Sequence, residues 1–298
     1  MLVYDLVLHL LSDYAIDVIC NLLGVSKSSF YGWKRGESYG VKQKKEEKKE
    51  KVKEIFVSHR RRYGARRIGA ELAEKGYKMG RCQIRSAMKA QDLVAIQPKS
   101  FAPRTTKSDP KMRRSPNLLL DEDGNRAKVC RPYEVLVGDI TYIPLVGGDF
   151  IYLATFQDMF TRVVLGWELM ENMQSSLVVN ALQKAIDRRK LPRGMIIHSD
   201  GGGQYGSHHF RKLLDKHKFM QSMTRKDNHY DNAMGESFFS RSKAEMMQNG
   251  AFLNFKDAYT EIFEYIEIYY NKNRRHSGIQ YNFPERFEKN WIDSHNLS

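Results

Sequence analysis

The sequence predicts a basic, all-helical region followed by an α/β domain built on a mixed five-stranded sheet flanked by helices. Three observations carry that expectation. Apolar residues recur at helical spacing up to about residue 96, then give way to the short β-branched and aromatic runs of strands. Four of the eight prolines, Pro98, Pro103, Pro110 and Pro116, separate the two regimes. The charge divides at the same place. Residues 1–115 hold 26 Lys+Arg against 12 Asp+Glu and residues 116–298 hold 23 of each, so the whole excess of +14 lies in the first part.

At 298 residues, 41% hydrophobic and 28% charged, the chain is globular and long enough for two domains. Cys20, Cys82 and Cys130 are scattered and form no CxxC pair, which argues against a disulfide framework or a zinc site. The N-terminal run MLVYDLVLHLL lacks a basic flank and contains Asp5, and no stretch reaches the ~18 apolar residues of a membrane helix. These features suit a soluble cytoplasmic protein without a membrane partner. The basic first part calls for a polyanion, of which nucleic acid is the commonest.

In the first helical unit, 13–36, Ile16, Ile19, Leu22 and Leu23 line a helix that stops at Gly24. Ser26 caps a second helix carrying Phe30 and Trp33. Helix, glycine turn, helix is the helix-turn-helix pattern, with Lys27 and Ser28 at the early, DNA-facing positions of the second helix. The lysine- and glutamate-rich segment 41–60 is a charged helix with Glu47 and Lys51 four apart, a solvated connector. The second unit, 60–96, repeats the scheme. Ile68, Leu72 and Ala73 line one helix, Gly76 ends it, and Ile84, Ala87 and Met88 line the next. Arg81, Gln83 and Arg85 open that last helix, where side chains reach bases or phosphates. Residues 1–96 thus form a DNA-binding region, 97–118 a basic proline-rich linker, and 119–298 the α/β domain.

In that domain YEVLVGDITYIPLV, DFIYLATFQDMF and RVVLGWELM read as three strands joined by short turns, an antiparallel meander. GMIIHSD and MQSMTR read as two further strands, each following an amphipathic helix and therefore parallel. Asp139 ends or nearly ends the first strand, Asp200 ends the fourth, and Glu236 lies early in the helix of NAMGESFF. Ligand sites in such sheets gather at strand ends. Three carboxylates in one place repel one another, and a divalent cation relieves the repulsion. Oxygen ligands suit Mg²⁺ or Mn²⁺, and two such ions can clamp the attacking and leaving oxygens of a phosphoryl displacement. Glycines 201–203 would let a nucleic-acid backbone approach Asp200 closely.

The segments GDITYI, QDMFTRVVLGW, HSDGGGQYGS, SMTRKDNHYDNAMGESFFSRSKAE and YYNKNRRHSGIQYNFPERF, in that order, resemble the bacterial insertion-sequence transposases of the DDE type. The family is the IS-three family, whose core is similar to retroviral integrases and ribonuclease H. The 35 residues between Asp200 and Glu236 match its spacing of the second and third acids. The resemblance implies a ribonuclease H-like fold, metal-dependent cleavage at element ends, and strand transfer by the freed 3′-OH. It implies Asp139, Asp200 and Glu236 as catalytic and metal-binding residues, with two Mg²⁺ ions for which Mn²⁺ can substitute. It implies Lys243 on DNA and Asn232 beside the site, a place where Asn232 could equally be a helix cap. Asp158 matches a strand position outside the triad, and Asp231 is the nearest competing acid. Implied partners are double-stranded DNA, both inverted-repeat ends and target, and further copies of the chain in a synaptic complex. Implied too are a bacterial, nucleoid-associated location and a downstream-frame catalytic product, to which the family often fuses an upstream helix-turn-helix and zipper by frameshifting. Leu136, where the family has Trp, and Ser242, where it often has Leu, depart from the pattern as packing changes. A nuclease of the same fold and a non-catalytic DNA-binding regulator are the alternative readings.

Overall fold

The computed structural model describes residues 2–98, 114–121, 123–125, 127–225, 232–248 and 250–295. They fall into two compact units, 1–95 and 96–298.

The first unit is all helix. α1 (Leu2–Leu10), not anticipated from the sequence, packs with α2 (Ile16–Leu22) and α3 (Lys27–Lys34) around Val7, Ile19, Cys20 and Phe30. Gly24 turns the chain at φ 65°, and the Ser26 hydroxyl accepts the Ser29 N–H at 3.1 Å, capping α3. α4 (Glu37–Ser58) is not the solvated connector its charge suggests: Val52, Ile55 and Phe56 are buried. The reason lies in its last turns, KVKEIFVS, which put apolar residues on one face. Lys51 pairs with Glu54 at 3.0 Å rather than with Glu47. α5 (Ala65–Glu74) buries Ile68 and Leu72 while Ala73 stays exposed, and α6 (Arg81–Lys89) buries Ile84, Ala87 and Met88.

The second unit is a five-stranded sheet of order β3-β2-β1-β4-β5. β1 (Val135–Pro144), β2 (Phe150–Asp158) and β3 (Val164–Met170) form the antiparallel meander. β4 (Ile196–Ser199) lies parallel to β1, and β5 (Met220–Met223) parallel to β4. α7 (Ser175–Arg188) and α8 (His208–His217) supply the crossovers, as parallel strands require. Both bury apolar stripes, such as Leu177, Val178, Ala181, Leu182 and Ala185, with Leu136, Ala154, Phe156 and Leu165 of the sheet. A second core gathers Ile143, Ile151, Leu153, Val164, Trp167 and Leu169 with Phe238 and Phe239 of α9 (Ala233–Met246). α10 (Phe255–Phe263) joins that core and runs on through a π-helical stretch, Glu264–Tyr270, into α11 (Asn271–Asn273). α12 (Pro284–His295) is the last described helix.

Both edge strands take hydrogen bonds from outside the sheet. On β3, Asn271 accepts the Val164 N–H at 2.9 Å and donates to the Val164 carbonyl at 3.0 Å. On β5, the Leu118 N–H reaches Ser222 Oγ at 2.9 Å, the Ser115 hydroxyl reaches Gln221 at 2.9 Å, and the Met223 N–H reaches the Pro116 carbonyl at 3.3 Å. Residues 115–118, read from the sequence as the end of the linker, therefore lie along an edge strand, where a proline costs no ladder bond. Residues 99–113 of that linker lie outside the described residues.

Candidate active site

The site begins where two parallel strands part. β1 and β4 are paired from Val135 and Ile196 to Val137 and His198. Two residues further along each chain segment stand Asp139 and Asp200. Asp139 is not at the end of its strand, as the sequence suggested. It lies inside β1, which continues to Pro144 against β2. What ends beside it is β4, whose chain leaves the sheet after Ser199 and turns through glycines 201–203. The strand end that matters is the neighbour's.

Asp139 is part-buried on the sheet, under the first turn of α9. Burial holds its carboxyl well above the usual range, the nearby charge of Asp200 and then that of Glu236 add to the rise, and hydrogen bonds from the Ile140 N–H and Asn232 oppose it. Burial also raises Asp200, against the Gly202 N–H, which donates to Oδ1 at 3.0 Å, and the positive charge of Arg114. The third carboxylate arrives on α9, whose first turn lies directly on Asp139. A methyl group at Gly235 would come within 2.5 Å of Asp139 Oδ2, so only glycine lets the helix sit this close. Glu236, one residue on, stays exposed.

Asn232 occupies the N-cap position of α9 but its side chain makes no capping bond; it donates to Asp139 instead. Its Oδ1 is buried without a hydrogen-bond partner. Lys243, two turns along, is half-buried, its ammonium lowered by burial and held up by the charge of Asp139. Asp158 is accounted for by structure: its carboxylate accepts the Tyr133 N–H, the Thr161 N–H and the Thr161 hydroxyl at 2.7–2.9 Å. Asp231 lies outside the described residues. Leu136 is fully buried, and Ser242 turns its hydroxyl onto the Phe239 carbonyl at 3.3 Å.

The sequence reading missed four features of this site. The Arg114 guanidinium lies over Gly201, in the space foreseen for a nucleic-acid backbone. Tyr205 is buried under the aspartates; burial raises its phenol, the charges of Asp200 and Asp139 raise it further, and its hydroxyl has no partner. Gly235, described above, gave no signal beyond being a helix glycine. Finally, α9 is anchored at its far end by a buried ion pair. Arg274 donates to both oxygens of Glu245 at 2.6 and 2.8 Å, and the Tyr265 hydroxyl donates to the same carboxylate at 2.8 Å.

The residues expected on DNA in the first unit are surface residues. Arg81, Gln83 and Arg85 are exposed in the first half of α6, although Gln83 Oε1 also accepts the Gly80 N–H at 3.2 Å. Lys27 and Ser28 are exposed at the start of α3, and Lys27 pairs with Asp17.

Among the described residues no group of three or more His, Cys, Asp or Glu side chains is already closed around a point that could hold a metal ion. The donors nevertheless fit a hard divalent cation. They are carboxylate oxygens, those of Asp139 and Asp200 close enough to repel one another, beside the unpartnered amide oxygen of Asn232. No helix among the described residues is long and apolar enough to cross a membrane.

A mixed sheet of this order, flanked by helices, is that of an integrase-type core. Family models described as Integrase core domain match residues 130–229 and 236–291, and one described as HTH-like domain matches 42–101. The chain is 35% identical over 273 residues to the IS600 uncharacterized 31 kDa protein of Shigella sonnei, covering 92% of this chain and 98% of that protein. It is 34% identical over 279 residues to Transposase InsF for insertion sequence IS3A of Escherichia coli, covering 93% and 95%. It is 36% identical over 240 residues to the transposase for IS904 of Lactococcus lactis, covering 80% and 92%. The chain belongs to the IS3 family of insertion-sequence transposases. Its sheet, with β2 alone antiparallel to the rest, is the ribonuclease H-like arrangement. Similar solved structures include a simian T-cell lymphotropic virus intasome, at TM-score 0.46 and 14% identity over 80% of this chain and 74% of that one. Another is the HTLV-2 integrase catalytic core domain in complex with magnesium, at TM-score 0.42 and 14% identity over 54% and 99%.

Proposed function

We propose that this transposase cuts DNA at the ends of its insertion sequence and joins the freed 3′-OH to target DNA, with Asp139, Asp200 and Glu236 as its catalytic carboxylates. The observation that carries this reading is the juxtaposition at the β1–β4 split. Two aspartates stand at matching positions beyond the last paired residues, and Gly235 seats the helix bearing Glu236 on the first of them.

Asp139, Asp200 and Glu236 would hold two Mg²⁺ ions, or Mn²⁺ in their place. Bound there, the ions supply activation of the attacking oxygen and stabilisation of the leaving oxygen. The protein's own part is placement. The Ile140 N–H holds Asp139 Oδ1 and the Gly202 N–H holds Asp200 Oδ1, which orients both carboxylates for ligation. Glu236, exposed on a rigid helix, completes the set when a cation offsets the repulsion. Lys243, near Asp139, faces the strand being joined, and the exposed Arg81, Gln83, Arg85, Lys27 and Ser28 of the basic region hold double-stranded DNA. Residues 1–96 form the DNA-binding part, 97–118 the linker and 119–298 the catalytic part. The protein acts in the bacterial cytoplasm, where two ends and a target must be held at once, a task for more than one copy.

The test is incubation with Mg²⁺ and DNA carrying the terminal inverted repeat that borders the gene. Joined products are expected from the wild type, and none from Asp139→Asn, Asp200→Asn or Glu236→Gln, each of which should still bind the DNA. Products that are only cut would make it a nuclease, and a band shift without cleavage a regulator. A variant that still joined ends at the wild-type rate would remove its residue from the triad.

A further inference from the structure

Arg162 is a cation that neither the core nor the site so far described uses. It lies in the turn between β2 and β3, in a left-handed conformation at φ 68°, which non-glycine residues adopt only when their surroundings enforce it. Here they do. The Arg162 N–H donates to the Asp158 carbonyl at 3.0 Å, and its own carbonyl accepts from Gln157 Nε2 at 2.9 Å. The Asp158 carboxylate ties down Thr161 by two further bonds, and Gln157 is itself bonded to the Tyr270 hydroxyl at 2.6 Å. A whole network fixes the direction in which one arginine points.

It points at α9. One guanidinium nitrogen lies 2.7 Å from the sulfur of Met234, the residue before Gly235 and two before Glu236. A thioether is a poor partner for a charge-assisted donor. Asp158, the acid whose charge Arg162 feels, has spent its oxygens on Tyr133 and Thr161. No other carboxylate among the described residues pairs with Arg162, and its Nε is buried without a partner. Burial lowers the guanidinium from its ordinary value, with the charges of Tyr270 and Asp158 opposing, yet an arginine keeps its charge. The side chain remains part-exposed, beside the Ser277–Ile279 turn. Desolvated, aimed and, among the described residues, lacking an anion, it suits a group that offers two oxygens to its fork.

We infer that Arg162 grips a backbone phosphate of the DNA strand that crosses the first turn of α9. The inference rests on the reading of the site as a strand-transfer centre. Arginine's fork matches two phosphate oxygens, and the contact would fix the register of the strand against Glu236 without reading its sequence.

The test uses the full chain and duplexes carrying the terminal inverted repeat that borders the gene, each with one phosphate replaced by a neutral methylphosphonate. Strand transfer in Mg²⁺, the salt dependence of binding and thermal unfolding are measured for wild type, Arg162→Gln and Arg162→Lys. Arg162→Gln is expected to transfer roughly ten- to a hundredfold more slowly, the scale of one lost charge-assisted bond. Its salt slope should fall by about 0.9, the share of one phosphate. One methylphosphonate position that impairs the wild type should leave Arg162→Gln no worse. Arg162→Lys, which keeps the charge but not the fork, should fall between the two. If Arg162→Gln does not fold, Arg162→Lys decides: the wild-type rate there overturns the fork contact. A wild type that joins ends while Arg162→Gln matches its rate, slope and interference pattern overturns the proposal. A wild type that neither cuts nor joins overturns the reading of the site instead.

Discussion

At Gly235 a missing methyl group decides whether a helix can touch Asp139. Alanine there would favour the helix by up to about 1 kcal/mol. The added carbon, 2.5 Å from Asp139 Oδ2, would push α9 outward and carry Glu236 with it. Gly235→Ala is therefore expected to melt within a few degrees of wild type yet lose strand transfer by about a hundredfold, as misplacement by an ångström can. Calorimetry and single-turnover assays would check the two halves, and undiminished transfer would show that the close seat is dispensable. Asp139 and Asp200 make a second prediction. Both carboxyls are held above their ordinary range, so the folded protein keeps protons that the unfolded chain releases. The stability tied to them is present in acid and is lost as pH rises above about 4 towards the folded values. Urea unfolding in chelator at a series of pH values should show that decline, Asp139→Asn should flatten it, and Mg²⁺ should oppose it in the wild type alone.

Among the elements, α9 is held at both ends, by Gly235 on Asp139 and by Glu245 on Arg274. Both side chains of that ion pair are only 3% exposed. Removing one partner strands a buried charge, so Glu245→Gln or Arg274→Met should each cost about 3–5 kcal/mol. The double replacement should cost less than the sum of the two, a coupling that a denaturation cycle would measure. This anchor could not be read from the sequence, because Glu245 and Arg274 are 29 residues apart and nothing in the spacing joins them. The strands themselves were legible, since alternation and turn residues act locally. Asp139 was legible as an acid on β1, but its place depended on where β4 stops, which β1 does not encode. The burial of α4 was hidden by its own lysines and glutamates, which outnumber the few apolar residues of its last turns.

In the whole molecule the charge is divided as unevenly as the work. A fragment of residues 1–115 should bind duplex DNA with an affinity that falls steeply with salt, by about 0.9 in log K per log unit of salt for each phosphate contacted. Residues 119–298, without net charge, should bind far more weakly, and equal binding in a filter assay would refute the partition. The acids, the basic region and the change of period were all readable before any coordinates, because each is a property of a short stretch. What was not readable is how far the catalytic helix leans on the chain that follows it. Mobile elements leave many broken copies behind, and a copy cut short just after α9 would keep every acid by which such genes are recognised. Without Arg274 and Tyr265 it would lack the brace on Glu245, and the third acid would ride on an unmoored helix. An inventory of signature residues would count that copy as live, whereas its last intact codon would tell that it is dead.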